Sequence, residues 1–447
     1  MNMSSKYTLT LDIIFVSLVV ALSGFLFGYH IGIISGALLF ITEQFHLTVI
    51  EQGMVVSIIL IGGVGGSIFG GFFADYLGRK RTLFLTVLLL FIATFCLYDA
   101  QSYGLIMFGR FIAGLAIGIG SVIAPLYIAE IAPKTHRGAL VSLNQLMVTF
   151  GILVAFWVSY LYAGSADWRD MFTIGFIPAG LQFLGLFFIP ESPDWLISQG
   201  KIAAADKSLH RLEKDLSKRH YTGEEIKHDQ PTSKSFGALL NPAVRMAFIV
   251  GIGVSVFQQI TGINTVIYYA PYIFQFAGLA SAKSAIYATA WVGIINALMT
   301  MIGLWLVDKA GRRVLLMISL GGMALSLAVL GTTFIAFAAE AGVVAIVSLM
   351  VYIASFAIGL GMVPWLIISE IYPLGVRGRA VGVAIFASWV ANYFIALTFL
   401  PLVQSIGIGG TYWFFTIMCL LGIWFSWKKV PETRGKTFDE IQQFWHK

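Results

Sequence analysis

A short charged turn occurs twice in this chain, half a length apart, and each copy sits between two long apolar segments. The first reads Asp75-Tyr-Leu-Gly78-Arg79-Lys80-Arg81 and the second Asp308-Lys309-Ala-Gly311-Arg312-Arg313. The two aspartates are 233 positions apart in a chain of 447 residues. A second pair keeps a similar offset: Glu130 followed by Arg137-Gly138, then Glu370 followed by Arg377-Gly378, 240 positions later. Charged loops that recur at half the chain length imply a duplicated membrane bundle. Such a bundle points to transport and away from soluble enzymology.

The apolar content agrees. Hydrophobic residues make up 58% and charged residues 11%, where a soluble domain would carry about 25% charged residues. Runs of roughly 20 apolar residues, enough to cross ~30 Å of hydrocarbon, recur along the whole sequence. There are 12, with cores near 14–38, 53–74, 82–99, 104–124, 139–162, 170–189, 245–276, 285–307, 314–337, 343–369, 380–404 and 411–427. Runs this long satisfy their backbone in lipid as helices. The predicted fold is an all-α membrane protein of 12 transmembrane helices in two pseudo-symmetric six-helix halves, 1–190 and 243–430. A cytoplasmic linker at 191–242 joins the halves and a tail follows at 431–447.

Orientation follows from the bases. Of 28 Lys and Arg, 25 fall in the N-terminus, the even-to-odd loops and the C-terminus; the exceptions are Arg110, Arg169 and Lys283. The positive-inside rule then places both termini in the cytoplasm. The net charge of +6 reflects topology and is no sign of a nucleic-acid partner. Cys96 and Cys419 lie inside apolar runs as packing residues, with no disulfide framework and no metal spacing. Only Lys6 and Asp12 are charged before the first run, and no convincing cleavage site separates them from it.

The linker holds 16 of the chain's 50 charges. Within it Ile202, Ala205, Leu209, Leu212 and Leu216 recur at helical spacing, which predicts short amphipathic helices beneath the bundle. A flexible solvated linker is the alternative, and 228–235 around Pro231 reads as true linker. Gly62, Gly66 and Gly70 in the second span, and Gly114 and Gly118 in the fourth, recur every fourth residue and let helices approach closely. No glycine stands five residues before Gly435-Lys436-Thr437, so that stretch is no phosphate loop.

Several stretches together resemble the sugar porters of the major facilitator superfamily. Gly109-Arg110 runs through Gly114 and Gly118 to Pro125-Leu-Tyr-Ile-Ala-Glu130-Ile-Ala-Pro133. The sixth span ends in Pro190-Glu191-Ser192-Pro193. The seventh carries Gln258-Gln259-Ile-Thr-Gly262-Ile-Asn264 and Tyr268-Tyr269-Ala-Pro271. The twelfth exits through Pro431-Glu432-Thr433-Arg434-Gly435. In order, these motifs cover nearly the whole chain. The resemblance implies a two-domain bundle that alternates between outward- and inward-facing states. It also implies a cytoplasmic charge network of Asp75, Arg79, Glu130, Arg137 and Glu191 with Asp308, Arg312, Glu370, Arg377 and Glu432. Acids and bases at shielded helix ends form a network that can break when the halves part; charges that only fix topology are the bland alternative. Tyr76 departs from the basic residue usual after the first aspartate, and Asp194 stands where the family usually has Arg.

A sugar needs hydrogen-bond partners for its hydroxyls and a flat apolar surface for its ring. Uncharged amides supply the first and indole the second. The spans offer Gln145, Gln258, Gln259, Asn264, Asn296, Trp365, Trp389 and Asn392, and each matches a position that lines the sugar site in the family. One amide alone is more often a helix–helix hydrogen bond; eight such residues on five spans make a site. Phe27, Tyr268, Tyr269 and Pro271 are candidates for the extracellular gate or for packing. The other tryptophans read as interface anchors or packing.

Coupling turns on the first span. Proton-driven members of the family carry Phe-Gly-Tyr-Asp there and facilitative members tend to have asparagine; this chain has Phe27-Gly28-Tyr29-His30. His30 and Arg110, which the family places nearby, are the titratable pair within the membrane, and such residues are functional by default. A histidine can carry a proton near neutral pH, whereas a neutral imidazole beside Arg110 behaves like the facilitator's asparagine. The reading taken is a facilitative monosaccharide carrier for a hexose or pentose. A proton-coupled symporter, a polyol or inositol carrier and a non-transporting sensor are the alternatives. No nucleophile–base set, metal cluster or phosphate loop supports an enzyme, and no cofactor is implied. The expected partners are a small sugar, protons under the symport alternative, and the lipid bilayer. The chain is expected to be a monomer in a bacterial inner membrane.

Overall fold

The computed structural model describes residues 10–133, 136–212, 242–337, 341–372, 374–436, 440, 441 and 444, with the backbone alone at 242, 243, 308, 341 and 374–378. Among the described residues the chain is helical and contains no strand. The helices are α1 (Leu11–Phe45), α2 (Val49–Leu77), α3 (Arg79–Tyr98), α4 (Tyr103–Ile131), α5 (Arg137–Tyr162), α6 (Trp168–Thr173), α7 (Phe176–Phe188), α8 (Pro193–Ser198) and α9 (Ile202–Leu212). After the linker come α10 (Pro242–Ile260), α11 (Ile263–Phe276), α12 (Ala282–Ala310), α13 (Arg312–Ala336), α14 (Ala341–Ile358), α15 (Val363–Glu370) and α16 (Leu374–Lys429).

Among the described residues, eleven stretches are long and apolar enough to cross a membrane. The last, Arg379–Lys429, counts twice. Its helix α16 has 56 residues, roughly 84 Å at 1.5 Å per residue, and Gly407 interrupts it with a non-helical φ of 75°. The twelve expected spans are therefore present. Large apolar side chains such as Phe69, Phe95, Leu161 and Leu325 are exposed on these helices, as lipid-facing surface requires. This is a multi-pass membrane protein.

Three crossings consist of two short helices: α6–α7, α10–α11 and α14–α15. The α10–α11 break is set by Gly262, whose φ of 90° favours a residue without a Cβ. A Cβ there would also lie 2.8 Å from the Phe415 ring. A broken membrane helix exposes backbone and polar side chains at mid-depth. Here Gln258 and Gln259 close α10 and Asn264 opens α11.

The chain divides into two compact units: Met1–Ala37 with Ile58–His220, and Leu38–Ser57 with Tyr221–Lys447. In the first, the every-fourth glycines bring α2 and α4 together. A Cβ on Gly62 would lie 2.9 Å from the Gly114 Cα, and one on Gly66 3.0 Å from the Gly118 Cα. Helices α1 and α5 meet the same way, since a Cβ on Gly151 would lie 2.8 Å from the Tyr29 amide nitrogen. In the second unit, Tyr272 donates to the Thr42 hydroxyl at 3.1 Å, and a Cβ on Gly53 would lie 2.8 Å from the Leu397 carbonyl oxygen.

Helix α9 follows the sixth span, and its buried face differs from the expected stripe at one position. Ala205, Leu209 and Leu212 are buried, but Ile202, at the first position, is exposed. Ser208 turns inward instead, because its hydroxyl finds the Glu191 carbonyl at 2.6 Å. Leu216 and the 228–235 stretch lie outside the described residues.

Candidate functional site

The repeated turn builds the same clamp in both units. In the first, Gly78 adopts a φ of 95° and lets the chain reverse tightly into α3. The Glu191 carboxylate sits over that helix start and accepts the backbone amides of Arg79 at 2.9 Å and Lys80 at 3.0 Å. Amides of a first helical turn have no partner inside the helix, and an anion there is favourable. The Arg79 guanidinium then crosses to Glu130, with Nη2 at 2.7 Å and Nε at 3.0 Å, and gives Nη1 to the Ala74 carbonyl at 3.0 Å. Ser192 donates its hydroxyl to the other Glu130 oxygen at 2.5 Å.

The second unit repeats this pattern of partners, except that the arginine Nε makes no hydrogen bond to the paired glutamate. Gly311 has a φ of 90°. Glu432 accepts the amides of Arg312 at 2.9 Å and Arg313 at 3.0 Å. Arg312 donates to Glu370 at 3.1 Å and to the Val307 carbonyl at 3.1 Å, and Thr433 donates to Glu370 at 2.5 Å. Both ion pairs are mostly shielded from solvent, where breaking one partner costs more than at a surface.

Six of the ten expected network residues thus form two clusters, each inside one unit. Asp75 touches its cluster only at 3.5 Å from Arg79, and its side chain is 82% exposed. Arg137 is exposed at the start of α5, and no salt bridge among the described residues includes it. The side chains of Asp308 and Arg377 lie outside the description. Ser192 and Thr433 were absent from the expected set. Their signal was the hydroxyl residue following each terminal glutamate, in Pro190-Glu191-Ser192 and Pro431-Glu432-Thr433.

The amides converge in the second unit. Asn264 donates to the Gln259 carbonyl oxygen at 2.6 Å. Gln259 donates to the Gln258 carbonyl oxygen at 3.1 Å and to the Ser388 hydroxyl at 2.8 Å. Gln258 ends the chain on the backbone carbonyls of Leu360 at 2.9 Å and Gly361 at 3.1 Å, just before α15. Ser388 is a member that the sequence did not single out, since a serine in an apolar run carries no distinctive signal. On α16, Asn392 donates to the Tyr268 hydroxyl at 3.2 Å and keeps its own buried carbonyl oxygen without a partner. Among the other candidates, Asn296 on α12 and Trp389 on α16 are buried, whereas Trp365 on α15 is exposed. Gln145 is half-buried on α5 of the first unit.

Of the gate candidates, Tyr268 and Tyr269 are buried. Tyr269 donates to the Ala396 carbonyl at 2.7 Å and stacks on Phe399. Pro271 lies inside α11, and Phe27 is half-buried on α1.

His30 and Arg110 are both fully buried. Arg110 meets His30 through the backbone: its Nη1 donates to the His30 carbonyl at 2.9 Å. Neither imidazole nitrogen has a hydrogen-bond partner, and the ring packs edge-on against Tyr29. No carboxylate is among the buried side chains of the described residues.

A family model described as "Sugar (and other) transporter" matches residues 16–445. The chain is similar to the D-xylose transporter of Levilactobacillus brevis, 37% identical over 432 residues, which covers 94% of this chain and 93% of that protein. It is similar to the D-xylose-proton symporter of Escherichia coli (strain K12), 36% identical over 471 residues, which covers 96% of this chain and 95% of that protein. Among solved structures it resembles the inward open conformation of the xylose transporter XylE from E. coli, with a TM-score of 0.83 and 33% identity over 97% of this chain and 100% of that one. These are transporters and not enzymes. With the duplicated bundle, the paired clamps and this match along its length, the chain belongs to the sugar transporter family, the sugar porters of the major facilitator superfamily.

Proposed function

We propose that the chain carries a monosaccharide, a pentose or hexose, across the membrane by alternating access. The observation that carries this reading is the run of linked amides at the α10–α11 break. Amides at a helix break offer donors and acceptors to sugar hydroxyls without the desolvation cost of charge. Trp365, exposed on α15, supplies an indole face for a sugar ring. Asn296, Trp389 and Asn392 complete the ligand set proposed in the second unit, and Gln145 is a separate candidate sugar ligand in the first. The named substrates of the relatives, xylose above all, favour a pentose among the sugars to try first.

The reading of coupling is facilitative. An imidazolium at His30 would be buried with no hydrogen-bond partner for either nitrogen and a guanidinium nearby, and burying an unpaired charge is costly. Proton symport is the second reading, favoured by the name of the E. coli relative. Both termini are proposed to face the cytoplasm, and the protein to act as a monomer in a bacterial inner membrane.

Proteoliposomes test the substrate and the coupling. Radiolabelled xylose, other pentoses, hexoses and polyols are compared in competition at two pH values, with and without an imposed proton gradient. Saturable sugar uptake supports the carrier. Accumulation that requires an inward proton gradient replaces facilitation by symport, and binding without flux makes the chain a sensor.

A further inference from the structure

The second unit carries a repeated pair that the sugar reading leaves unused. Trp305 precedes Lys309 by four residues at the end of α12, and Trp424 precedes Lys428 by four at the end of α16. Residues four apart share a helix face. In each pair the ammonium stands over the indole, 3.6 Å from the ring centroid at Trp305 and 5.2 Å at Trp424. Trp305, Trp424 and Trp427 are 59%, 53% and 61% exposed.

The two helix ends are tied together. Arg313 donates to the Trp427 backbone carbonyl, Arg434 donates to the Lys309 backbone carbonyl, and Glu432 binds the start of α13 between them. Among the described residues, no carboxylate forms a salt bridge with Lys309 or Lys428. Both pairs lie at helix ends that the Lys and Arg distribution assigns to the cytoplasm. Indole rings settle at the headgroup level, lysine stems lie along apolar surface with the ammonium at the phosphates, and basic clusters there recognise anionic lipid.

The first copy of the turn lacks the device. Tyr76 occupies the place of Lys309, exposed and stacked on Phe72 with 6.1 Å between ring centroids. Lys80 spends its ammonium on the Ile189 carbonyl at 2.8 Å. Beside that turn Lys201 stands 5.2 Å from the Trp195 ring centroid, but this indole is buried, so among the described residues the first unit presents no exposed pair there.

We propose that the α12–α13 turn and the end of α16 form a binding site for an anionic phospholipid, its phosphate engaged by Lys309 and Lys428 and its upper acyl region against Trp305, Trp424 and Trp427. The site surrounds the turn that holds Arg312 and Glu432, so an occupying lipid steadies the clamp of the second unit.

The purified full-length chain is delipidated in detergent and titrated with phosphatidylglycerol or phosphatidylcholine. Retention is read by native mass spectrometry, with thermal unfolding in parallel. Phosphatidylglycerol is expected to bind in preference, and each lysine changed to glutamine to weaken it by about fivefold. Arg81→Gln, which removes one exposed charge from the first copy of the turn, is expected to leave the affinity unchanged. Lys309→Tyr, importing the residue of the first copy, serves if Lys309→Gln does not fold, and carries the same expected loss. The proposal is overturned by equal binding of the two lipids, by unchanged affinity in the lysine variants, or by an equal loss in Arg81→Gln. Displacement of the lipid by inorganic phosphate would overturn it too, by marking a site for a soluble anion.

Discussion

Arg110 grips helix α1 through the carbonyl oxygen of His30, at 2.9 Å, and leaves the imidazole without a polar partner. Every residue brings a backbone carbonyl, so this contact survives substitution of the histidine side chain. His30→Asn should therefore keep the fold and equilibrative sugar exchange. Flux down a gradient in the wild type should vary little between about pH 6 and 8, the range over which an ordinary histidine titrates. Uptake into proteoliposomes at fixed sugar gradient checks both. A proton-driven accumulation that His30→Asn abolishes would make histidine the coupling residue and end the facilitative reading.

The clamps lead to a second expectation. Arg79→Ala and Arg312→Ala each remove a shielded ion pair and a backbone contact, and should impair flux far more than sugar binding, because a latch biases conformational populations and does not touch the ligand. Paired calorimetry and flux on each variant decide it; normal flux in both would reduce these charges to topology signals.

Glu432→Gln keeps an acceptor over the α13 amides and loses the charge, whereas Glu432→Ala loses both. The alanine variant should cost about 1–2 kcal/mol and the glutamine variant less than half of that, by analogy with helix caps and anion effects at helix starts. Thermal unfolding in a fixed detergent gives the order.

At the helix break, Gln259→Ala leaves Asn264 and Ser388 without their shared partner. Sugar affinity should fall by ~1–3 kcal/mol, and Trp365→Ala should weaken it through the lost ring surface. Titration calorimetry on purified protein reads both, and unchanged affinity in both variants removes them from the site.

Gly114→Ala puts a methyl 2.9 Å from the Gly62 Cα and forces α2 and α4 apart. It should destabilise by ~1–3 kcal/mol. Gly104→Ala, with open space at the same α4 helix's other end, should not. Their unfolding temperatures in one detergent make the comparison.

The spans were legible because lipid admits few alternatives: an apolar run of that length has to be a helix. The clamps were legible because they occur twice. Other features left no trace of their own in the residues. The Arg110 contact uses a backbone atom that is identical at every position. Ile202 and Ser208 exchanged places because hydrophobicity ranks the isoleucine higher, while the Glu191 carbonyl rewards the serine. Arg137 repeats in sequence like Arg79 yet stands exposed, since spacing fixes the end of a helix and not the neighbour of a side chain. Ser388 joins the amides through a hydroxyl that a membrane helix often spends on its own backbone instead.

The twin clamps differ in small ways: Ser192 against Thr433, Lys80 against Arg313, Tyr76 against Lys309. One polypeptide therefore contains its own matched control. A lesion in either copy is measured against an intact sibling at the same expression level, in the same bilayer and with the same ligand. Exchanging Ser192 for threonine and Thr433 for serine then asks, within a single molecule, how far each half-duplicate has drifted from a shared ancestral part.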